Sequence, residues 1–302
     1  MAKQPQSFDP RQQMGRADFE LQYKRDSYLK DVALHHHDFY EIYFLLSGDV
    51  TYLIEGKLVQ VMPGDLLLIS PRELHQVCIR PEMSVYERFV LWVEPQTIAR
   101  LSTDLTDLHR GLDPNRPGYG NQYRPSPEDR TQLEKLMYQL SQESHSEDYG
   151  SDLLCASLLT QLLVTINRLV SRQGCHVEED SRGSRAVQQT MNYINLHYAE
   201  ELSLDTLARQ AFVSKYHLSH EFHRQVGTSV YQYIQKKRLL IARQLLSQGK
   251  PASQVYSACG FNDYAGFYRA FKGEYGLSPR AFGQQAKESA PGEESGNREG
   301  SI

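Results

Sequence analysis

The feature that most constrains this chain is an internal repeat in its C-terminal third, with an offset of 49 residues. The register rests on four identities: Phe212 with Phe261, Phe222 with Phe271, Gly227 with Gly276, and Ser229 with Ser278. Each copy reads as a short apolar helix, a tight break and a second helix that follows a good N-cap residue, Ser214 in one copy and Asp263 in the other. A supersecondary unit that occurs twice in this form predicts two helix-turn-helix motifs.

The second helix of each copy has one face that is expected to be exposed. Apolar residues at i and i+4 predict the buried face, Leu218 and Phe222 in the first copy and Phe267 and Phe271 in the second. The opposite faces present Tyr216, Ser219, His220 and His223 in the first copy, and Asn262, Ala265, Gly266, Arg269 and Lys272 in the second. Small and polar side chains there suit a DNA major groove, where an Arg can pair with guanine. The alternative, an exposed face of an ordinary helical bundle, leaves the repeat unexplained.

Charge is segregated along the sequence. Residues 1–180 carry 18 Lys and Arg against 27 Asp and Glu, whereas residues 181–288 carry 14 against 7, which gives net charges of −9 and +7. A basic segment of this length is typical of nucleic-acid binding, although charge alone does not separate it from a merely soluble basic domain. The segment 229–247 between the copies predicts one helix about 30 Å long. That is close to the roughly 34 Å between successive major grooves on one side of a duplex, so we expect the two motifs to bind adjacent grooves.

Residues from about 187 to 282 resemble the DNA-binding domain of the AraC/XylS family of bacterial transcription regulators. The segment ACGFNDYAGFYRAFKGEYGLSPRAF is similar to that family's second-unit signature, with the expected Gly260, Phe261, Phe267, Phe271, Gly276, Pro279 and Arg280. The resemblance implies base-facing positions for Tyr216, Ser219 and His220 in the first unit and for Ala265, Gly266 and Arg269 in the second. His220 departs from the pattern, because many relatives have Arg there. The resemblance implies a protein that binds double-stranded DNA and regulates transcription. If it activates transcription, RNA polymerase is an expected partner.

Residues 19–100 have the pattern of a meandering antiparallel β domain. Val, Ile, Leu, Tyr and Phe occur in short runs, interrupted by the turn signals SGD, EGK and MPGD. His35 and His37 share a face of a strand, Glu41 joins them if the strand is regular, and His75 follows a later turn. The spacing resembles a cupin β-barrel. The first cupin motif is matched as far as Gly48, whereas the second keeps Gly64 and His75 but has Ser70 and Arg72 where Pro and Gly are usual.

Three imidazoles and one carboxylate in a barrel allow more than one function. AraC-like regulators resemble cupins in their sensor half, which implies that His35, His37, Glu41 and His75 contact a small-molecule effector, with a sugar or a related metabolite as one candidate. The same donors could hold a divalent transition metal, although no metal or other cofactor is required by this interpretation. Two alternatives stay open, a metal-dependent cupin enzyme with a nucleic-acid tether and a barrel that only dimerises. The sequence has no nucleophilic triad, P-loop or dinucleotide fingerprint, so we predict a protein that is not an enzyme.

The predicted architecture is α+β with two domains, a cupin-like antiparallel β-barrel followed by helices and an all-α domain with two helix-turn-helix units. The expected segments are a disordered arm 1–18, the barrel 19–100, connecting and dimerisation helices 101–170, a linker 171–184, the DNA-binding domain 185–284 and a disordered tail 285–302. Helices are expected at 127–142 and 151–171. The second helix is apolar on more than one face, which is typical of a core helix, but a seam of it could also pack on another copy in a homodimer: Cys155, Leu158, Leu162, Thr165 and Leu169.

The cellular location is predicted from what the sequence lacks. The four cysteines have no disulfide or zinc spacing, so we expect reduced thiols. No apolar run approaches the roughly 18–20 residues of a membrane span, and the start of the chain has no secretory signal pattern. We therefore expect a cytoplasmic protein that does not contact a membrane.

Overall fold

A computed structural model describes residues 12–26, 32–71, 73–79, 85–173 and 184–288. Much of the predicted arm, linker and tail lies outside these ranges, as do Arg72 and Cys175. Within them, an N-terminal antiparallel β domain is followed by helices and then by a helical domain, which confirms the predicted α+β architecture.

In the described residues, the N-terminal barrel contains eight strands: β1 (Phe19–Asp26), β2 (Tyr40–Ser47), β3 (Val50–Ile54), β4 (Lys57–Val61), β5 (Leu66–Ile69), β6 (His75–Ile79), β7 (Tyr86–Val93) and β8 (Gln122–Tyr123). One sheet has the order β1-β7-β2-β5-β8 and the other β4-β3-β6, and all pairs are antiparallel. Successive residues of β2 alternate between two cores, because Tyr43 and Leu45 lie in the barrel interior and Ile42 and Phe44 pack against helices. Both sheet faces are therefore covered.

Three helices cover the outer face of the five-stranded sheet: α1 (Pro95–Leu101), α2 (Pro127–Glu143) and α3 (Ser151–Gln173). Cys155, Leu162 and Leu169 of the predicted dimer seam are buried in this core, Thr165 is also buried, and Leu158 packs against it. The expectation that this seam packs on a second copy is wrong, because the apolar outer face of the chain's own sheet occupies it.

Helix α3 also corrects an expectation about composition. An 18-residue window reaches a mean hydropathy of 1.7, so by length and composition alone this helix could cross a membrane. The prediction that no stretch approaches a membrane span is therefore wrong, because it considered only unbroken apolar runs. Core helices pass the same test, and α3 packs along α2 as a core helix does.

Between residues 184 and 288, the C-terminal domain consists of seven helices: α4 (Arg185–His197), α5 (Leu204–Gln210), α6 (Lys215–Val226), α7 (Val230–Ser247), α8 (Ala252–Ala258), α9 (Tyr264–Tyr275) and α10 (Pro279–Glu288). We call α5 with α6 the first unit and α8 with α9 the second unit. Both α6 and α9 end at a glycine with left-handed backbone, Gly227 with φ 67° and Gly276 with φ 75°, which explains one identity of the repeat. The last helix extends to Glu288 and so includes the first four residues of the predicted tail.

The barrel and the C-terminal domain share one apolar core. Leu34, Leu53, Leu58 and Leu74 of the barrel belong to the same buried cluster as residues of the C-terminal domain: Val187, Met191, Ile194, Leu218, Phe222, Tyr233, Ile234 and Leu240. Polar contacts border it, including Asn195 Nδ2 donating to the Glu55 carbonyl oxygen at 2.9 Å and an ion pair between Lys237 and Glu55. The second unit has a separate core, which includes Leu246, Val255, Phe267 and Phe271.

Candidate functional site

Helices α6 and α9 present the faces that the repeat predicted to be exposed. Each begins after a side-chain cap, since Ser214 Oγ accepts from the His217 amide at 3.2 Å and Asp263 Oδ1 accepts from the Gly266 amide at 2.7 Å. Leu218, Phe222, Phe267 and Phe271 are buried. The opposite faces carry the predicted DNA contacts, all exposed except the half-buried Gly266: Tyr216, Ser219, His220, His223, Ala265, Gly266, Arg269 and Lys272.

The turn of the first unit contains a residue that sequence reasoning did not single out. Phe212 has φ 55°, a left-handed conformation that is uncommon for a bulky side chain, and it is 91% exposed. Its repeat partner Phe261 packs instead against the core of the second unit. The available signal was an aromatic residue in a turn, and its identity with Phe261 in the repeat does not show that the two side chains differ in exposure.

The histidine centre, defined as His35, His37, Glu41 and His75, lies at the end of the barrel interior. All four residues are buried, with exposures of 1–5%. His35 and His37 precede β2 instead of lying on it, and an isolated bridge pairs His35 with His75 through backbone hydrogen bonds of 2.9 and 3.1 Å. The expectation of one regular strand is thus wrong, but His35 and His37 still point inward while His36 points to the C-terminal domain.

Hydrogen bonds fix the tautomers of the three imidazoles. Each Nδ1 lies 2.8 Å from a backbone carbonyl oxygen, that of Ala33 for His35, Phe39 for His37 and Glu73 for His75. A carbonyl oxygen only accepts, so Nδ1 donates and a neutral ring keeps a lone pair on Nε2. In the described parts of the chain, Nε2 of His37 and of His75 has no hydrogen-bond partner.

The carboxylate of the centre lies beside these lone pairs. Glu41 Oε2 accepts from Trp92 Nε1 at 2.9 Å and lies 3.3 Å from His37 Nε2. Burial lowers the pKa of His75 to about 4, and burial also lowers the pKa of His35 well below its ordinary value. Although burial opposes its charge, the pKa of Glu41 lies below its ordinary value because His37 and His75 lie beside it. The Glu41 carboxylate and the neighbouring imidazole nitrogens are therefore close enough for one cation to bind them together.

The donor set fits a divalent transition metal. One ligand atom each from His37, Glu41 and His75 lie within 4.8 Å of one another. Bonds of about 2.1 Å in a tetrahedral site would place ligand atoms roughly 3.4 Å apart, so these three have to move only slightly closer. His35 lies next to the group, with its ring centroid 4.2 Å from that of His75. Phe39 stacks on His37 with ring centroids 4.0 Å apart, so the immediate surroundings suit an ion better than a bulky ligand.

Family models match both parts of the chain. A model described as an AraC-like ligand binding domain matches residues 17–163, and one described as a helix-turn-helix domain matches residues 207–285. The chain belongs to the AraC family of transcriptional regulators. The first match contains the whole histidine centre, and the second contains the first unit of this AraC-family protein from residue 207 onward and the whole second unit.

Three relatives illustrate the range of similarity. The probable transcriptional regulator LumQ of Photobacterium leiognathi is 37% identical over 92 residues, which are 30% of this chain and 37% of LumQ. The arabinose operon regulatory protein of Salmonella typhimurium is 32% identical over 53% of this chain and 56% of its own length. The transcriptional activator RhaS of Escherichia coli O81 is 25% identical over 83% of this chain and 87% of its own length. The chain thus spans about half or less of the first two relatives.

Proposed function

We propose that this AraC-family protein is a cytoplasmic transcription regulator that binds double-stranded DNA through α6 and α9 and responds to a ligand at the histidine centre. The DNA-binding part of this proposal rests on one observation, the common register of α6 and α9. Both helices bury the same two repeat positions and expose the opposite face, in a domain with a net charge of +7. Tyr216, Ser219, His220 and His223 in α6, and Ala265, Gly266, Arg269 and Lys272 in α9, are the proposed contacts.

Binding-site selection with the full chain tests this proposal. We expect one bipartite DNA motif, an affinity that falls steeply with salt because Lys and Arg contacts displace counterions, and no binding by a chain with Arg269→Glu and His220→Glu. The matched control is Arg168→Glu, an exposed charge reversal on α3 outside both units. A selected motif that persists unchanged in the double variant would contradict the assignment.

The centre is proposed to act on DNA binding through two short connections to the C-terminal domain. On one side, His36 Nε2 lies 3.2 Å from the Tyr275 hydroxyl, and Asp38 pairs with Arg243. On the other, Glu55 Oε1 accepts from the Leu74 amide at 2.8 Å while its second oxygen pairs with Lys237. Each connection begins within one residue of a histidine of the centre. A ligand that moves His37 and His75 therefore has direct leverage on α7 and α9.

We infer that a divalent transition metal is the ligand that the centre suits best. Two imidazole nitrogens without a hydrogen-bond partner among the described residues, together with a carboxylate, are buried and close together, and they support this inference. His37, Glu41 and His75 would hold the ion, and its role would be to bind and to bias the domains, without a catalytic step. Effector binding that involves His35 and an organic molecule is the alternative.

Metal content decides between these ligands. We expect about one metal ion per full chain after equilibration with a panel of divalent metals, and loss of that ion in the double variant His37→Ala, Glu41→Ala. His145→Ala, an exposed histidine on another surface, is the matched control. A wild-type chain that binds no metal but changes its reporter output with an organic metabolite would exclude the metal and favour the effector.

We also propose a homodimer, with RNA polymerase as a partner if the protein activates transcription. The seam of α3 is buried within the chain, so a second copy would have to meet other residues, such as the exposed Leu153 and Leu154 at the start of α3. Sedimentation of the full chain and of a Leu153→Asp, Leu154→Asp variant tests this. We expect a dimer that the double substitution dissociates, and a wild-type monomer would refute the proposal.

A further inference from the structure

A cleft lies between the barrel and the second unit, and its lining includes His37 of the histidine centre. It has a volume of about 350 Å³, within the roughly 300–1,000 Å³ of small-molecule sites. The barrel contributes His36 and Asp38, α7 contributes Arg243, and α9 and α10 contribute Tyr275 and Phe282. The two domains thus build this cleft jointly.

Two polar groups of the cleft are buried and unpartnered. His36 Nδ1 and Gln12 Oε1 have no hydrogen-bond partner among the residues for which the structure gives positions. The other ring nitrogen of His36 contacts the Tyr275 hydroxyl. Since an amide oxygen only accepts and an imidazole nitrogen does either according to its tautomer, a hydroxyl group, which both donates and accepts, can satisfy both positions. An unpaired buried polar group is costly, so a molecule that supplies these hydrogen bonds gains affinity.

The charges of the cleft are already paired with one another. Arg243 pairs with Asp38 and also lies over the rings of Tyr275 and Phe282, at 5.2 and 5.3 Å from their centroids. Glu274, the other acidic residue of the lining, pairs with Lys236 at 2.8 Å. An anion or a cation would have to break one of these pairs, whereas a neutral ligand leaves both intact.

We propose that this interdomain cleft binds a small neutral polyhydroxylated molecule, with hydroxyl groups paired to His36 and Gln12. This inference concerns a site that adjoins the histidine centre at His37 but pairs its ligand with His36 and Gln12, and it does not depend on DNA binding or on metal at the centre. A molecule in the cleft contacts the barrel and the second unit together, so it strengthens a connection that otherwise consists of few side chains.

Ligand binding to the full chain tests the proposal directly. The probes are D-glucose, D-sorbitol, myo-inositol and the common pentoses, together with gluconate and glucosamine as negatively and positively charged analogues of similar hydroxyl content. Saturation-transfer NMR and thermal shift give the affinities. We expect saturable binding of at least one neutral probe, and weaker binding of both charged analogues.

Variants locate the bound probe. Leu277 lines the cleft and is 40% exposed, so Leu277→Trp fills space there without disturbing a core, and we expect it to weaken binding by about tenfold or more. Tyr275→Phe, which removes only the hydroxyl group beside His36, is a second and milder variant and should weaken binding less. The matched control is Leu196→Trp, at a leucine that is 79% exposed on α4, and it should not change the affinity. His75→Ala tests the barrel as the alternative site, and it should weaken binding less than Leu277→Trp does.

Three results would overturn the proposal. They are no saturable binding by any neutral probe, tighter binding of gluconate or glucosamine than of glucose, and a probe whose affinity survives Leu277→Trp but is lost in His75→Ala. The last result would place the polyol in the barrel. None of these three results affects the selected DNA motif, so the proposed DNA-binding function is tested independently of the cleft.

Discussion

The two helix-turn-helix units have the same sequence pattern but different neighbours. Leu218 and Phe222 of the first unit belong to an apolar core that continues into the barrel through Leu53 and Leu58. Phe267 and Phe271 of the second unit belong to a separate core closed by α7, α8 and α10. The first unit is therefore part of one packed body with the barrel, whereas polar contacts around the interdomain cleft link the second unit to it. The repeat therefore predicts the structure of each helix-turn-helix unit, whereas the residues packed around a unit decide how that unit can be regulated.

The largest effect is expected from substitutions at the two phenylalanines that the repeat aligns. Phe222→Ala and Phe271→Ala each remove a fully buried ring, at an expected cost of about 3–5 kcal/mol in unfolding free energy. The sequence has one tryptophan, Trp92, which lies in the barrel, so its fluorescence reports on the barrel while far-UV circular dichroism reports mainly on the helices. We expect Phe222→Ala to lower the denaturation midpoint seen by both probes.

Phe271→Ala should instead lower the midpoint of only part of the circular dichroism change and leave the Trp92 transition in place. The reason is that elements packed in one core unfold together, whereas an element with a separate core can unfold independently. If both variants shift the fluorescence midpoint equally, the two units are not energetically distinct and the comparison fails.

Base recognition gives the second test. Arg269 in the second unit can pair with guanine through two hydrogen bonds, whereas His220 in the first unit offers at most one to a base. Arg269→Ala should cost about 1–3 kcal/mol and relax one position of the DNA motif, and His220→Ala should cost less. Site selection with each variant measures both effects, with Lys135→Ala on α2 as the control. Equal losses would show that the units contribute alike to specificity.

The helix caps offer a third comparison at aligned positions. Ser214→Ala and Asp263→Ala each remove one acceptor from the first turn of α6 or α9, at a cost of about 1 kcal/mol. The loss at Asp263 should be the larger, because a carboxylate makes a shorter, charge-assisted bond and also interacts with the helix dipole. Urea denaturation measures both, and the swaps Ser214→Asp and Asp263→Ser should retain most of each cap. A larger loss at Ser214 would contradict this ranking.

The smallest effects are expected for the two interdomain ion pairs. The Lys237 side chain is 10% exposed and pairs with Glu55 next to the shared core, whereas Asp38, which pairs with Arg243, is 47% exposed. Double-mutant cycles with alanine should give a coupling of about 1 kcal/mol for the first pair and about 0.5 kcal/mol or less for the second. The coupling energies are read from urea denaturation in low and high salt. A stronger Asp38–Arg243 coupling would mean that the second unit is held more firmly than its packing indicates.

Most of the helical domain could be predicted from the sequence, because its signals are local. Caps at Ser214 and Asp263, apolar positions at i and i+4, and glycines at helix ends all act within one or two turns. Strand β8 was not predicted, since two residues are too short for a period-two pattern, and it forms only because Gln122 and Tyr123 meet β5. The sequence left open whether the seam of α3 is core or interface, because a periodic apolar stripe does not indicate which surface covers it.

The sequence by itself determined the two-domain order, the repeated unit, the faces of α6 and α9, and the residue types of the histidine centre. Only the tertiary structure decided that His36 points away from His35 and His37 towards Tyr275, that Glu55 joins the Leu74 backbone to Lys237, and that the first unit shares its core with the barrel. The physical reason is the distance along the chain between the residues that interact. Helix periodicity and capping depend on neighbours along the chain, whereas a shared core or a cleft depends on residues more than a hundred positions apart, whose contact is fixed only when both domains are packed.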